Sequence, residues 1–152
     1  MARMRKKLFL GVTFVLVLCG LGLAYSAGIK KKAVTPKDFP TGRPFSAGIL
    51  VGDTLYVSGS TGADLKTGKV PEKFEDEVQL CFDNIHEILK AGGMDFSDAV
   101  SVQVYLTDMT LFPRMNAVYI KNFPEPRPTR TTVGVTALAG GAHMEVTVTA
   151  RK

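Results

Sequence analysis

Apolar and polar residues alternate along several short stretches of this chain, and this period of two residues predicts β-strands. The first two stretches are joined by Gly52-Asp53, a two-residue turn that predicts a β-hairpin. The segment 58–62, rich in glycine and serine, is expected to end the second strand. In the third, Val100 and every second residue after it are expected to face the core. The predicted strands span residues 46–51, 54–58, 98–106, 129–135 and 143–149, with a short edge strand around 32–34.

Apolar residues at spacings of three and four predict two amphipathic helices. The first begins near Glu72, runs for about five turns and ends at Gly92-Gly93, a pair suited to a C-cap. Its apolar positions are Phe74, Val78, Cys81, Phe82, Ile85, Ile88 and Leu89. The second helix spans residues 111–123 and is shorter. Its inward-facing residues are expected to be Leu111, Met115, Val118 and Tyr119.

The order of these elements is strand, strand, helix, strand, helix, strand, strand, which predicts a single α+β domain. Its mixed sheet is expected to carry both helices on one face. The other face then remains without cover inside one chain. Because a half-buried sheet face is rare in a monomer, we expect another subunit to cover it. A polar pocket between subunits is the expected consequence.

The last two predicted strands carry the residues with the most evident chemistry. Each has an apolar and a polar face, and the polar faces hold Arg130 and Thr132 on one strand and Glu145 on the other. If the strands pair, Arg130 and Glu145 lie on a common polar face, where the guanidinium can bind a carboxylate and the glutamate can move a proton. A structural ion pair between them is the alternative interpretation. The side chains expected to face the core are Thr131, Val133, Val135, Met144, Val146 and Val148.

Charge and cysteine content exclude two classes of site. The chain has a net charge of +5, but residues 1–32 hold seven of its 19 basic residues and none of its 14 acidic ones. The remainder has twelve basic against fourteen acidic side chains, a net charge of −2, which argues against a nucleic-acid partner. Cys81 is the only cysteine beyond residue 32, so neither an internal disulfide nor a thiolate metal site is expected there.

The first 27 residues have the pattern of an export signal. Basic residues at 3–7 precede an uncharged, largely apolar run from Leu8 to Ile29, and Ala24-Tyr25-Ser26 places small residues before a cleavage site. The same run is long enough to anchor the chain in a bilayer if it is not cleaved. We therefore divide the chain into a signal peptide or membrane anchor (1–27), a linker (28–39) and a domain (40–152), with the domain exported.

Several short motifs occur along the domain between about Lys32 and the C-terminus. They are Arg43-Pro44-Phe45-Ser46, Gly52-Asp53-Thr54-Leu55-Tyr56-Val57-Ser58-Gly59, Thr67-Gly68, Val104-Tyr105-Leu106-Thr107-Asp108-Met109, Met115-Asn116-Ala117-Val118-Tyr119, Pro128-Thr129-Arg130 and Glu145. In these motifs, their order and their spacings, the domain resembles the RidA (YjgF/YER057c/UK114) family.

This resemblance implies a chorismate-mutase-like homotrimer that hydrolyses reactive enamines and imines, such as 2-aminoacrylate, to 2-keto acids and ammonia. It implies pockets at the subunit interfaces and no requirement for a metal or organic cofactor. In such a pocket Arg130 would bind the substrate carboxylate and Glu145 would act on the hydrolytic water. Gly59 and Asn116 would line the pocket. These roles fit the chemistry, because a carboxylate suits a planar guanidinium and hydrolysis needs a positioned water and a proton acceptor.

The chain departs from the family pattern at several pocket positions. Phe45 stands where the family has a tyrosine, and Thr132 stands at a position that is often cysteine. Ser60 and Thr61 replace a segment that usually contains glutamine. These departures affect the expected substrate more than the fold. With the export signal, they leave a non-catalytic trimer that binds small carboxylates outside the cytoplasm as the alternative. A ribonuclease activity, also attributed to some family members, is disfavoured by the net charge of the domain.

Overall fold

The computed structural model describes residues 30–152 of the chain. The predicted signal or anchor segment, its cleavage site and Cys19 lie outside the described residues. Between residues 30 and 152, no helix is both long and apolar enough to span a bilayer.

Six strands and two helices build one compact unit, Lys31–Lys152. The strands are β1 (Lys31–Val34), β2 (Gly48–Val51), β3 (Thr54–Thr61), β4 (Ala99–Leu106), β5 (Thr129–Gly134) and β6 (Met144–Arg151). The helices are α1 (Phe74–Ala91) and α2 (Phe112–Asn122), and 3-10 turns occur at Phe96–Asp98, Met109–Leu111 and Ala139–Gly141. The predicted hairpin, edge strand and helices are thus confirmed to within a few residues at their ends.

The strands form one mixed sheet in the order β1-β2-β3-β6-β4-β5. All neighbours are antiparallel except β4 and β5, which are parallel and joined by the crossover through α2. As a result β5 lies at an edge of the sheet and β4 separates it from β6. The pairing of the last two strands, on which a shared polar face depends, is therefore absent.

Both helices pack on the same face of the sheet, and the core lies between them and the strands. The apolar stripe of α1 is buried along its whole length, including Cys81, as predicted. Burial of each large side chain contributes roughly 1.5–3 kcal/mol, so this stripe is a main source of stability. Acidic residues in the first turn of α1 favour the positive end of the helix dipole. Glu75 among them accepts two hydrogen bonds from Arg114 of α2, at 2.7 and 2.8 Å.

Alternation along β4 and β6 separates a buried face from an open one. The residues that face the helices are Val102, Val104, Leu106, Met144, Val146 and Val148. Those on the open face include Gln103, Tyr105, Glu145, Thr147 and Thr149. Val100, predicted to face the core, is 46% exposed because the pairing of β4 with β6 is irregular between Ala99 and Ser101. Such an irregularity moves the side chains before it to the other face.

A second irregularity lies in β3, where the sequence predicted a break. The strand continues to Thr61, but its register with β6 shifts between Val57 and Ser60. The glycine- and serine-rich segment therefore forms a β-bulge within the strand and not a loop after it. Gly59 lies in this bulge.

The faces of β5 are the reverse of those predicted. Arg130 is paired with Val102 and Thr132 with Val104, and both partners are buried under the helices. Because paired residues of adjacent strands share a face, Arg130 and Thr132 lie on the helix side. Val133 lies on the open side and is 42% exposed. The predicted alternation along β5 is correct, but the prediction of which side of this edge strand the helices cover is wrong.

Candidate functional site

Arg130 lies between strand β5 and helix α2. Its guanidinium carbon is 4.5 Å from the ring centre of Tyr119 and 5.4 Å from that of Phe112, both on α2. These distances are within the range of cation–π contacts. Within residues 30–152, no carboxylate lies within ion-pair distance of this guanidinium. The aromatic rings therefore hold the guanidinium in place, and its N–H groups remain able to donate to an anion.

A cleft of about 500 Å³ opens beside Arg130. It is lined by Asn116, Tyr119, Ile120, Arg127, Pro128 and Arg130. The Asn116 Oδ1 and Tyr119 hydroxyl atoms at this cleft, and Thr132 Oγ1 two residues along β5, are buried without a hydrogen-bond partner in the described part of the chain. Each such atom costs roughly 1–3 kcal/mol, so a native protein retains a cluster of them only with a reason. The Tyr119 and Thr132 hydroxyls can donate to an anion bound at this cation, whereas Asn116 Oδ1 only accepts and suits an N–H group of the same ligand.

The phenol of Tyr119 is a hydrogen-bond donor in this cleft. Burial raises the pKa of the Tyr119 hydroxyl, while the charges of Arg130 and Arg127 act in the opposite direction. Burial is the larger effect, so the hydroxyl keeps its proton at neutral pH. A protonated phenol beside a guanidinium can donate to a carboxylate oxygen.

Glu145 lies on the open face of β6, against the bulge of β3. A Cβ atom placed on Gly59 would lie 2.0 Å from Glu145 Oε1, so only glycine leaves room for the carboxylate there. Gly59 and Phe45 line a cavity of about 230 Å³. Phe45 packs edge-on against Phe39 at 6.5 Å, and its ring has no hydroxyl to offer a ligand. Gly59 therefore connects Glu145, which it contacts, with Phe45, which lines the same cavity, although Glu145 itself does not line that cavity.

Glu77 of α1 holds the chain where β6 begins, and sequence reasoning did not single it out. Its side chain is fully buried. Glu77 Oε1 accepts from the backbone N–H groups of His143 at 2.6 Å and Met144 at 3.2 Å, and Oε2 lies 2.8 Å from His143 Nδ1. A signal was present, because Glu77 stands three residues after Phe74 and four before Cys81, on the apolar face of α1.

Cys81 lies beneath the same region but has no reactive thiolate. Burial raises the pKa of its thiol strongly, and the nearby charges of Glu77 and Glu145 raise it further. Its Sγ donates a hydrogen bond to the Ser60 carbonyl oxygen at 3.1 Å. Cys81 therefore stays protonated and acts as a packing residue.

The predicted site residues form two groups that one chain does not bring together. Arg130, Asn116 and Thr132 form the first group, and Glu145, Gly59 and Phe45 form the second. Arg130 is level with Val102 on β4 and, through it, with Val148 on β6.

Glu145 is three residues from Val148 along β6. Two spacings between neighbouring strands, combined with the rise of three residues along a strand, put the Cα atoms of Arg130 and Glu145 roughly 14 Å apart. Their side chains also point to opposite faces. The prediction of a common polar face is therefore wrong for a single chain, and so is the alternative of an ion pair between them.

Comparison with known proteins identifies the family. Residues 35–152 match the family model described as Endoribonuclease L-PSP. The chain is 36% identical over 123 residues to Reactive Intermediate Deaminase A, chloroplastic, of Arabidopsis thaliana, covering 80% of this chain and 66% of that relative. It is 38% identical over 104 residues to the 2-iminobutanoate/2-iminopropanoate deaminase of Bos taurus, covering 68% and 76%.

Among solved structures, the fold is similar to RidA from an Antarctic Psychrobacter species. The TM-score is 0.71 at 32% identity, with 82% of this chain and 98% of that chain covered. The family model also spans every element of the sheet from β2 to β6, both helices and both groups of candidate site residues. The chain therefore belongs to the Endoribonuclease L-PSP family, which is the RidA family that its motifs resemble.

Proposed function

We propose that this protein hydrolyses reactive enamines and imines that carry a carboxylate, such as 2-aminoacrylate, to 2-keto acids and ammonia. The observation that carries the proposal is the Arg130 cleft, where a guanidinium without an ion-pair partner lies among buried, unpartnered polar atoms. Two proteins that are similar to this chain are named as deaminases, which supports the same reaction. The ligand expected from the cleft, a small carboxylate, is the group that such substrates share.

In this proposal Arg130 binds the substrate carboxylate through two parallel hydrogen bonds. The rings of Tyr119 and Phe112 hold the guanidinium plane. The Tyr119 hydroxyl donates to the same carboxylate, and Asn116 Oδ1, an acceptor, takes a hydrogen bond from the N–H of the substrate imine. Thr132, with a hydroxyl in place of a thiol, supplies a hydrogen bond but no nucleophile. The substrate is thereby fixed with its imine carbon at a defined position.

Glu145 performs the proton transfers of the hydrolysis. Water adds to the carbon of the protonated imine while the Glu145 carboxylate accepts one of the water protons, which forms a neutral tetrahedral carbinolamine. Glu145 passes that proton to the nitrogen and then takes the proton of the carbinolamine hydroxyl as the carbon–nitrogen bond breaks. The carbonyl forms, and the departing ammonia takes the proton from Glu145 as ammonium. Gly59 leaves space for the carboxylate, and the Phe45 ring packs beside the substrate. An enamine reaches this step after tautomerising to the imine.

The site is completed between subunits of a homotrimer. One subunit contributes Arg130 with Asn116, and its neighbour contributes Glu145 with Gly59 and Phe45. The separation of the two groups within one chain supports this arrangement, because a site inside one chain would need them together. The open sheet face around Glu145 provides the surface for the neighbouring subunit.

The test is the release of pyruvate from freshly generated 2-aminoacrylate, with the purified protein at catalytic concentration. We expect release faster than the spontaneous rate, and no acceleration with Glu145→Ala. Binding of pyruvate without any acceleration would contradict the reaction and favour the non-catalytic carboxylate-binding trimer. Phe45, which lacks the hydroxyl of the family tyrosine, is the feature in favour of that second function.

A ribonuclease function, to which the family description refers, has less support here. Residues 33–152 carry a net charge of −2, whereas nucleic-acid binding relies on neutralising phosphates with basic side chains. An assay of RNA cleavage by the same preparation is expected to show no activity.

We also propose that the domain is exported, with residues 1–27 acting as a signal peptide or, if retained, with residues 8–29 as a membrane anchor. The basic start and the uncharged run after it support this. Mass spectrometry of the protein from its host would find an N-terminus near Ala27 after cleavage, or Met1 in the membrane fraction for an anchor. A soluble cytoplasmic product that starts at Met1 would contradict both.

A further inference from the structure

The cavity beside Phe45 and Gly59 contains a cation that the proposed reaction does not use. Arg43 lines this cavity, and its side chain is exposed. Within residues 30–152, no carboxylate lies within ion-pair distance of Arg43. An exposed arginine on a flat surface needs no explanation. An arginine without an ion-pair partner on the wall of a candidate substrate cavity has its planar N–H fork available to an anionic group.

The backbone around Arg43 is restricted, so its side chain starts from a defined position. Gly42 has φ of 76°, in the left-handed region that glycine adopts without strain. Pro44 follows and limits Arg43 to extended conformations. Phe45, the next residue, packs against Phe39 on the cavity wall. Arg43 is therefore part of a conformationally restricted segment and lines the same cavity as Phe45.

The acidic groups near this cavity do not neutralise Arg43. Asp64 also lines the cavity, but its Oδ1 accepts hydrogen bonds from Lys66 N at 3.0 Å, Thr67 N at 2.7 Å and Thr67 Oγ1 at 2.9 Å. These bonds hold the pKa of Asp64 below its usual value and commit the carboxylate to its own turn. Glu145 does not line this cavity, and its carboxylate lies against Gly59.

We propose that Arg43 binds a second anionic group of the substrate, so that the preferred substrates are imines of dicarboxylic 2-keto acids. This inference rests on the proposed function, in which Arg130 takes the carboxylate next to the imine carbon. The rest of the substrate then extends past Glu145 into the cavity of about 230 Å³, which is larger than a methyl group fills. A terminal carboxylate at the far end of that extension meets Arg43.

The probes are two keto acids of equal chain length, 2-oxoglutarate with a terminal carboxylate and 2-oxopentanoate with a methyl group. Calorimetric titration of the full-length protein is expected to show 2-oxoglutarate binding about ten- to hundred-fold more tightly, as for a hydrogen bond to a charged group. Arg43→Gln is expected to abolish this preference and to leave 2-oxopentanoate affinity within about two-fold. Lys69→Gln, which removes the same charge from a nearby residue that does not line the cavity, is expected to retain the preference.

The outcomes separate this inference from the proposed function. Equal affinity for the two keto acids in the unmodified protein would overturn the role of Arg43 and leave the deaminase proposal standing. A preference that survives Arg43→Gln, or that Lys69→Gln removes equally, would overturn it as well. Binding of neither keto acid, with no acceleration of pyruvate release from 2-aminoacrylate, would overturn the proposed function and with it the inference.

Discussion

At the level of single residues, Arg130, which we propose as the carboxylate ligand, has its position set by aromatic rings. Tyr119 and Phe112 contact the guanidinium, at 4.5 and 5.4 Å from their ring centres. Such contacts contribute roughly 0.5–2 kcal/mol each, which is enough to restrict the side chain. They leave the N–H fork unoccupied, because a ring face accepts the cation without accepting its hydrogen bonds. The residue is therefore ordered before a ligand arrives.

We expect Arg130→Ala to abolish the binding of small 2-keto acids while the protein remains folded. Loss of a bidentate charged contact in a partly desolvated cleft costs roughly 2–5 kcal/mol, or some tens- to thousands-fold in affinity. Arg130→Lys should also bind weakly, since an ammonium cannot reproduce the planar fork. Calorimetry with pyruvate and thermal unfolding of each variant would measure the two effects.

Arg127→Ala is the matched control for Arg130, because Arg127 lines the same cleft but its guanidinium pairs with Glu125. We expect a smaller loss of pyruvate affinity in that variant. No carboxylate pairs with Arg130 within the described chain, so its removal leaves no unpaired buried charge. An alanine variant that unfolds early yet binds pyruvate normally would end the assignment of Arg130 as carboxylate ligand.

Residue type and family motifs select Arg130, Glu145 and Gly59 as candidate site residues, and their roles stay predictions. Their placement in the sheet was predicted only in part. Alternation also showed which neighbours share a face, since that depends only on the local backbone. Which face the helices cover depends on the parallel register of β5 with β4, a long-range property that a single strand does not encode. Glu77 was not predicted, because its partners, the backbone N–H groups of His143 and Met144, lie 66 and 67 residues further along the chain.

At the level of elements, the strong helical period of α1 and the Gly52-Asp53 hairpin were predictable because both signals are local. The two register shifts, in β3 and at the start of β4, were not. A bulge is defined by the partner strand, and β6 lies about ninety residues after β3 in the chain. The bulge matters for the site because it places Gly59 against Glu145.

Glu77 connects α1 to the first residues of β6, and we expect this connection to be a main determinant of stability. Glu77→Leu leaves the buried N–H group of Met144 and the N–H of His143 without their acceptor, at roughly 1–3 kcal/mol each. Urea unfolding should show a loss of about 2–5 kcal/mol. Glu77→Gln keeps one acceptor oxygen and should lose less.

Asp76→Asn is the control for the Glu77 variants, since Asp76 lies in the same turn of α1 with an exposed side chain. Removal of this exposed charge should change the free energy of unfolding by no more than about 0.5 kcal/mol. Equal stability of Glu77→Leu and the unmodified protein would show that the contacts to His143 and Met144 contribute nothing net.

At the level of the whole molecule, the proposed homotrimer would account for both the open sheet face and the division of the candidate site. Tyr56 and Val133 are 53% and 42% exposed on that face, together with the carboxylate-bearing strand β6. A neighbouring subunit that covers this face would bring its own Arg130 towards Glu145. With cyclic symmetry, the three Arg130 groups and the three Glu145 groups of a trimer would combine into three equal sites.

Mixed trimers provide the sharpest test of this arrangement. Arg130→Ala and Glu145→Ala each leave every site incomplete, so each variant alone should be inactive in pyruvate release from 2-aminoacrylate. A cyclic trimer that contains both variants has one interface where an intact Arg130 meets an intact Glu145. Random assembly of equal amounts should therefore restore about a quarter of the unmodified activity. Sedimentation must show trimers in all three samples. Trimers that assemble from both variants and recover no activity would contradict a site shared between subunits, as would monomers that retain full activity.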